Sequence, residues 1–368
     1  ANKIEVMYGT ASFLDEGRIG VESGHQFDMF RFKHAIVASG ARPVPVEGQI
    51  NSLQLFNLEE VPASLVLSGF TSFTLEAAFA YSALGSDVSI VSDGSQQLEL
   101  DEDIQKEVSR LLKKRKIKHY PGITHLDWSE GDEMAECTFV NARGEEMRLE
   151  CSHFYSGEKW EGGTTELGVK RIGVLLDEDR FILTDKEGRT EVPAIFAAGD
   201  VTGFPFLAVK GIRQGKTAAE AACGIPGETD LTWIPTVIHS DPPLAFAGFT
   251  EKEAIEAGYS VKTGLFPLAA NGFAALTGSK EGLMKVVLEE ETDRLLGAHL
   301  LGEGAIELIS GAVLGLEMGA RDEDFLFPFY PHPGLGEAFL EAVEQTKGLA
   351  IHQPPAKKAK QKEGIPKA

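Results

Sequence analysis

The sequence is short of cysteine and of basic residues, and it contains no long hydrophobic run. Three cysteines in 368 residues are too few for a disulfide framework, which favours a reducing compartment. The 35 lysines and arginines are outnumbered by 56 acidic residues, and a net charge of −21 repels phosphate backbones, so no nucleic-acid partner is expected. No apolar stretch is long enough to cross a bilayer and no leader sequence is recognisable, so no membrane insertion is expected. We therefore expect a cytoplasmic protein.

The residues that are abundant indicate a folded α/β protein. Hydrophobic residues make up 43% of the chain and there are 40 glycines, which is typical of a globular protein with many turns between strands and helices. A strand, a helix and a second strand follow one another between residues 64 and 91, the pattern of a βαβ unit. A further strand leads into a helix between residues 194 and 223. From Trp233 onward, strands precede helices, which predicts an α+β domain.

The turn inside the βαβ unit lies where a dinucleotide-binding fingerprint belongs. That fingerprint uses three glycines, for a tight turn, for backbone approach to the pyrophosphate and for close contact between helix and strand. Here the sequence reads Gly69-Phe70-Thr71-Ser72-Phe73-Thr74, and only the first glycine is present. Ser92 stands where an acidic residue would hold the ribose, with Asp93 one place later. An NAD(P) site is therefore doubtful, and a structural βαβ unit that has lost its ligand is the favoured interpretation.

A second glycine turn follows the strand that ends at Ala197-Ala198-Gly199-Asp200. The glycine allows close approach of a ligand, and the carboxylate of Asp200 can accept hydrogen bonds from ligand hydroxyls beside a helix N-terminus. An aspartate that only caps the helix or closes the turn explains the same pattern about equally well. Both interpretations stay open on the spacing alone.

The run His332-Pro333-Gly334-Leu335-Gly336-Glu337 places a histidine before a helix and a carboxylate in its first turn. A glutamate bonded to one imidazole nitrogen fixes the tautomer and raises the basicity of the ring, so that the other nitrogen can exchange a proton near neutral pH. The alternative is an exposed loop histidine beside a glutamate that favours the helix dipole. From the local pattern alone, this alternative is favoured.

The three cysteines show no spacing of a dithiol pair. Cys137 and Cys151 lie in predicted strands and Cys223 lies near a helix end, so we expect all three to be buried structural thiols. No set of histidines, cysteines and carboxylates has metal-ligand spacing, so no metal site is expected.

The order of these segments resembles the pyridine nucleotide–disulfide oxidoreductase family, in particular its dihydrolipoamide dehydrogenase-like members. His34–Pro43 matches the strand that returns to the flavin domain of that family. Thr190–Val201 is similar to the second flavin motif, and Pro205–Lys210 follows it as in the family. Leu295–His299 and His332–Glu337 match the C-terminal dimerisation domain. The resemblance implies Rossmann-like doubly wound nucleotide-binding units followed by an α+β dimerisation domain.

The resemblance also implies an FAD enzyme, a homodimer, and a lipoyl-bearing protein or another disulfide as substrate. His332, held by Glu337, would be the acid/base that manages thiol protons. The adenosine side of FAD would be contacted by Gly9, Ser39, Gly40 and Ala41, and its ribityl or phosphate region by Gly199 and Asp200. The flavin would be lined by Phe206, Leu207, Ala208 and Val209. Gly69 would belong to the second nucleotide site.

The same resemblance predicts the division of the chain. The expected segments are the C-terminal part of an FAD domain (1–49), a degenerate NAD-binding-like domain (50–157), an FAD or central segment (158–228), the dimerisation domain (229–352) and a flexible tail (353–368).

The sequence departs from the family in ways that leave three functions open. The flavin GxGxxG and the CxxxxC redox disulfide are not found in it, and Glu158, where the family usually has arginine, would repel a nucleotide phosphate. The favoured function is an FAD-dependent disulfide oxidoreductase with an impaired NAD site, its N-terminal section having been removed or being supplied by a separate chain. The alternatives are a flavoprotein fed by a protein electron donor, and a catalytically inactive dimeric scaffold.

Overall fold

The computed structural model describes residues 3–46, 49–95, 97–131, 134–157 and 159–353. Glu158 and residues 354–368 of the predicted tail lie outside this part of the chain. The described residues fall into two compact units, one of Ala1–Leu58 with Tyr155–Ile234 and the other of Glu59–Phe154 with Pro235–Ala368.

The secondary structure alternates short strands with helices of one to four turns. The strands are β1 (Thr10–Asp15), β2 (Arg18–Ser23), β3 (Gln26–Arg31), β4 (Ala35–Val37), β5 (Ala41–Pro43), β6 (Ser64–Ser68), β7 (Asp87–Ser92), β8 (Lys118–Pro121), β9 (Thr124–Ser129), β10 (Ala135–Val140), β11 (Glu146–Cys151), β12 (His153–Tyr155), β13 (Trp160–Gly162), β14 (Ile195–Ala197), β15 (Thr236–Ile238), β16 (Leu244–Gly248), β17 (Val261–Pro267), β18 (Leu283–Glu289) and β19 (Leu295–Leu301). The α-helices are α1 (Ser52–Leu55), α2 (Ser72–Ala83), α3 (Glu102–Lys114), α4 (Ala208–Ala222), α5 (Glu251–Glu256), α6 (Gly272–Thr277), α7 (Ala305–Met318), α8 (Asp322–Leu326) and α9 (Gly336–Gln345).

The first unit contains three small sheets. Strands β1, β2 and β3 form an antiparallel sheet, β5 pairs with β13 in antiparallel fashion, and β4 pairs with β14 in parallel. Ile195 of β14 lies opposite Ala35 of β4, so both strands end on the same side and both lead into glycine turns. Buried apolar residues join the β1-β2-β3 sheet and the β4-β14 pair into one core, among them Phe13, Val37, Val169, Ile195 and Val201.

The second unit begins with the βαβ pattern expected from the sequence. Strands β6, β7 and β8 run parallel in a four-stranded sheet of order β12-β6-β7-β8. Three successive residues of β6, Leu65 to Leu67, are buried, as in parallel strands that are covered on both faces. Asp101 caps α3, which buries one face through residues spaced one helical turn apart: Ile104, Val108, Leu111 and Leu112.

The rest of the second unit is the predicted α+β part. Strands β15 to β19 form a five-stranded antiparallel sheet of order β15-β16-β19-β18-β17. Helix α9 packs against β17 and β18, and α7 packs against β16 and β19. Among the described residues, no helix combines the length and the apolar character needed to cross a membrane.

Candidate functional site

A cavity of about 370 Å³ opens in the first unit, beside the start of β1 and the segment after β4. Gly9, Ser39 and Ala41, three of the four residues predicted on the adenosine side of a cofactor, line it. Gly40, the fourth, lies between two of them with a φ of +72°, a left-handed conformation that favours glycine. The structure therefore brings the predicted N-terminal residues to one place.

Backbone forms part of the wall of this cavity. The Gly163 N–H donates to the carbonyl oxygen of Gly40 at 2.9 Å. A Cβ atom on Gly163 would lie 2.6 Å from the carbonyl oxygen of Ser39, and one on Gly9 would lie 2.4 Å from that of Glu22. Since a side chain at either position would push these segments apart, the close approach of backbone here depends on glycine. Bare backbone of this kind can contact the sugar or phosphate of a nucleotide directly.

Arg42 adds a charged group that the sequence analysis missed. Its side chain lines the cavity, where Nε donates to Glu161 Oε1 at 2.8 Å and a terminal nitrogen donates to the hydroxyl of Thr165. Arg42 and Glu161 lie opposite each other on the paired strands β5 and β13. The position of Arg42 directly after Ser39-Gly40-Ala41 was a usable signal, but its partner lies 119 residues away and could not be read from the sequence. A guanidinium held in this way can bind a phosphate group.

The turn after β14 carries the predicted pair Gly199 and Asp200. Gly199 has a φ of +79°, and its N–H donates to the side-chain oxygen of Gln214 on α4 at 2.8 Å. Asp200 is half-buried in the short 3₁₀ turn that follows. Helix α4 begins after Leu207, and no side chain in the described part of the chain caps its N-terminus. The N–H groups of the first helical turn are therefore open to a ligand.

The residues predicted to lie along a flavin, Phe206–Val209, enter the first turn of α4. The ring of Phe206 packs against those of Trp160 and Phe181, with centroids 5.4 and 5.8 Å apart. Val209 is exposed, and Leu207 and Ala208 are the N-cap and the first residue of the helix. None of these four described residues lines the cavity. The predicted cofactor residues of the first unit therefore fall into two groups, one at the cavity and one between the turn after β14 and the start of α4.

The turn after β6 looks different, because its own side chains occupy it. Gly69 has a φ of +92° and donates its N–H to the carbonyl oxygen of Val91 at 2.8 Å. Thr71 caps α2 by accepting the N–H of Thr74 at 3.1 Å, and the Thr71 N–H donates to the Thr74 hydroxyl at 2.9 Å. The Thr74 hydroxyl also donates to the Gly69 carbonyl oxygen at 2.9 Å. Two hydroxyls thus engage the backbone groups that would approach a pyrophosphate.

The position expected for a ribose is also filled. His119 stacks on Phe70 with ring centroids 4.8 Å apart, and its Nε2 lies 3.3 Å from the hydroxyl of Ser92. Burial lowers the pKa of His119 to about 4, so the ring is neutral near pH 7. Asp93 accepts hydrogen bonds from the hydroxyl and the N–H of Ser95 at 2.7 and 2.8 Å, which lower its pKa. Asp93, one place after the residue expected to hold a ribose, is thereby engaged in a local turn.

His332 and Glu337 form the pair that the sequence suggested. His332 Nδ1 lies 2.8 Å from Glu337 Oε1, and the Gly334 N–H donates to the other carboxylate oxygen at 2.9 Å. Burial acts to raise the pKa of Glu337, but the hydrogen bonds from His332 and Gly334 outweigh it and lower the pKa. The His332 side chain is 79% exposed, so the ring is fixed on one edge and accessible on the other. The carboxylate orients the ring through Nδ1 and leaves Nε2 for proton exchange.

A second histidine–carboxylate pair, which the sequence analysis missed, involves a glutamate one turn further along the same helix. His352 Nδ1 lies 2.6 Å from Glu341 Oε1. The other oxygen of Glu341 accepts the N–H groups of Ile351 and His352 at 3.0 and 3.3 Å. This carboxylate holds the chain that leaves α9, and no motif in the sequence marked the pair.

Two of the three cysteines are the buried thiols that were expected. Cys137 and Cys151 are fully buried, and burial raises the pKa of both, that of Cys137 to about 12. The prediction for Cys223 was wrong, because this residue is exposed at the C-terminal end of α4. A thiol at a helix end projects into solvent when the helix buries a different face, here that of Thr217, Ala218 and Ala221.

Comparison with known proteins places this geometry in a family. The model of the pyridine nucleotide-disulphide oxidoreductase domain matches residues 1–222, and that of the pyridine nucleotide-disulphide oxidoreductase dimerisation domain matches residues 234–343. A dihydrolipoyl dehydrogenase of Geobacillus stearothermophilus is 33% identical over 360 residues, which cover 95% of this chain and 76% of that protein. Dihydrolipoyl dehydrogenase 2 of Haloarcula marismortui is 35% identical over 366 residues, with the same coverage of 95% and 76%.

The fold has a close match among solved structures. The Cu(II) complex of a cysteine-to-serine mutant of the HOCl-induced flavoprotein disulfide reductase RclA from Escherichia coli superposes with a TM-score of 0.85 at 22% identity, covering 93% of this chain and 79% of that chain. Together these similarities confirm the predicted fold class, with nucleotide-binding units followed by a dimerisation domain. The chain belongs to the pyridine nucleotide-disulphide oxidoreductase family.

Proposed function

We propose that this chain is an FAD-dependent oxidoreductase of dithiols or disulfides in which His332 and Glu337 act as the acid–base pair. The dihydrolipoyl dehydrogenases that it resembles support the reaction class. The observation that carries the proposal is the 2.8 Å contact between His332 Nδ1 and Glu337 Oε1, with the His332 ring exposed. A histidine fixed in this way has one ring nitrogen oriented by the carboxylate and the other free to take or give a proton.

The first unit provides groups that fit the predicted cofactor, FAD. Gly9, Ser39, Gly40 and Ala41 would hold the adenosine side at the cavity whose walls are partly bare backbone. Asp200, together with Gly199 and the uncapped start of α4, would bind the ribityl or phosphate region. When bound, FAD supplies an acceptor for the electron pair of a dithiol that becomes a disulfide.

His332 would act on the thiol that reacts. Its Nε2 would take the proton of an incoming thiol and leave the thiolate, which is the nucleophilic form. Glu337, whose pKa is lowered by its hydrogen bonds with His332 and Gly334, stays ionised and stabilises the imidazolium that forms. The proton returns from Nε2 when the reaction runs toward the dithiol.

The reacting thiol would come from outside this chain. Cys137 and Cys151 are buried with raised pKa values, which disfavours the thiolate. Cys223 is exposed, but no second cysteine is spaced with it in the sequence as a dithiol pair. A lipoyl-bearing protein is a suitable dithiol substrate, since the relatives are dihydrolipoyl dehydrogenases. The match to the dimerisation domain supports a homodimer as the working state.

A second candidate is a flavoprotein that exchanges electrons with a protein in place of NAD(P). The closed turn after β6 favours it, because Thr71 and Thr74 occupy the backbone groups at the start of α2. Ser92 bonds to His119 and Asp93 bonds to Ser95, so both side chains at the ribose position are already engaged. The two candidates share the flavin and the thiol–disulfide chemistry, and they differ in whether NAD(P) or a protein electron donor exchanges electrons with the flavin.

The proposal is tested by replacing His332 and following reduction of the flavin by dihydrolipoamide in a stopped-flow spectrometer without oxygen. His332→Ala should slow this step by about 100-fold or more, the usual scale for a lost acid–base group. His25→Ala removes an exposed histidine between β2 and β3 and is the matched control, with an unchanged rate. Equal rates in wild type and His332→Ala would exclude His332 from the reaction.

A further inference from the structure

One face of α4 holds both ends of the turn that carries Asp200. Lys210 is 1% exposed, and its Nζ donates to the carbonyl oxygen of Gly203, directly after the turn. Gln214, one helical turn further along, accepts the N–H of Gly199 at 2.8 Å, directly before Asp200. The helix therefore fixes this turn through one buried ammonium and one amide.

The ammonium of Lys210 is unusual because its hydrogen bond goes to a carbonyl. Burying a charge without an ionised partner is costly. Burial lowers the pKa of Lys210, and the carboxylate of Asp200 acts in the opposite direction. The negative charge that compensates the Lys210 ammonium is therefore that of Asp200, the residue that the sequence singled out in this turn.

A second buried lysine shows what a purely structural site looks like. Lys285 is also 1% exposed, but its Nζ lies 2.8 Å from Asp101, 2.7 Å from Asp103 and 2.7 Å from Glu251. Burial acts to lower the pKa of Lys285, and the three carboxylates outweigh it and raise the pKa. Lys285 is saturated by acidic partners, whereas Lys210 has a carbonyl and the neighbouring Asp200.

We propose that Lys210 is a positioning residue for FAD, whose buried ammonium, together with Gln214, holds the turn that carries Asp200 in place for the hydroxyl groups of the cofactor. The inference rests on the proposed FAD site and adds a residue to it. Lys210 reaches the cofactor only through Asp200 and the backbone of the turn. Loss of its charge should therefore weaken FAD binding in proportion to what Asp200 contributes.

The test is a titration of the apoprotein with FAD, followed by quenching of flavin fluorescence. Lys210→Met keeps the aliphatic stem and removes the charge, and it should raise the dissociation constant by about tenfold or more. Lys216→Met removes an exposed lysine from the same helix and should leave the constant unchanged. Lys210→Arg keeps the charge and should bind FAD within about threefold of wild type.

A double-variant cycle with Asp200→Asn separates this role from simple packing. If Lys210 acts through Asp200, adding Lys210→Met to the Asp200→Asn variant should raise the dissociation constant for FAD by less than about twofold. If the two losses multiply, or if Lys210→Met binds FAD as wild type does, the inference is overturned. Should Lys210→Met fail to fold, the comparison of Lys210→Gln with Lys210→Arg takes its place, and equal binding by these two overturns the inference. A wild-type protein that binds no FAD would overturn the proposed function itself.

Discussion

Two turns of this protein place a glycine of positive φ between a buried strand and the next α-helix, and they differ in length and in what their side chains do. Gly69 and Gly199 both adopt positive φ after a buried strand and before a helix. At the first turn, Thr71 and Thr74 consume the N–H and carbonyl groups at the start of α2. At the second, none of the described side chains caps α4. A helix N-terminus can bind an anion only where its own N–H groups are unused, so the turn at Gly69 is closed and the turn at Gly199 is open.

The closed turn should reveal itself in the pH dependence of stability. His119 has a pKa lowered to about 4 by burial, against an ordinary value of 6.5. As the pH falls from 6.5 to 4, the unfolded chain binds a proton that the folded chain does not, so this group destabilises the fold by up to about 3 kcal/mol. His119→Phe keeps a ring on Phe70 and should remove this loss, measured by urea unfolding at pH 7 and pH 4.

The control for that experiment is a histidine elsewhere on the surface. His25→Phe removes an exposed histidine between β2 and β3 and tests whether loss of any imidazole changes the pH dependence of the free energy of unfolding. If His119→Phe and wild type lose the same free energy of unfolding between the two pH values, His119 is not held neutral by its burial.

Restoring the missing glycines should open the closed turn. Thr71→Gly with Thr74→Gly removes both hydroxyls and both Cβ atoms, which recreates the three-glycine spacing from Gly69. We expect the affinity for NADH to rise by about tenfold or more in isothermal titration calorimetry. Thr71→Ala with Thr74→Ala removes the hydroxyls only, and it should recover a smaller part of the affinity. Wild type that binds NADH as tightly as the double-glycine variant would show that the threonines do not block the site.

The smallest effect is expected from exchanging the caps themselves. Thr71→Ala removes the N-cap of α2 and should lower the free energy of unfolding by about 1 kcal/mol in urea denaturation. Leu207→Asn introduces a capping side chain at the extended N-cap of α4 and should weaken FAD binding by about threefold, since it uses an N–H that the cofactor would take. An unchanged FAD affinity in Leu207→Asn would argue that the start of α4 does not face the cofactor.

Features that depend on near neighbours in the chain were predictable. The βαβ unit between residues 64 and 91 and helix α4 follow from hydrophobic periodicity and glycine punctuation. The contact of His332 with Glu337 was one of two interpretations of a five-residue separation at a helix start, and the local pattern alone favoured the other, an exposed loop histidine. The matched family models confirm the resemblance on which the FAD prediction was based.

Features that depend on distant pairing were not predictable. Arg42 meets Glu161 across two paired strands, and the partners are 119 residues apart. The burial of Lys210 is decided by how α4 packs on the turn after β14, so its local sequence looks like that of any basic helix residue. Cys223 was predicted to be buried because thiols usually are, and it is exposed. Only the orientation of the helix shows which of its faces meets solvent.

The most direct test of the proposed function is an anaerobic titration of the purified flavoprotein with two reductants, followed at the long-wavelength absorption band of the flavin. The open turn at Gly199 and the proposed acid–base role of His332 predict that dihydrolipoamide bleaches this band, while the closed turn at Gly69 predicts that NADH leaves it oxidised. Stoichiometric bleaching by NADH, or none by the dithiol, would contradict the account.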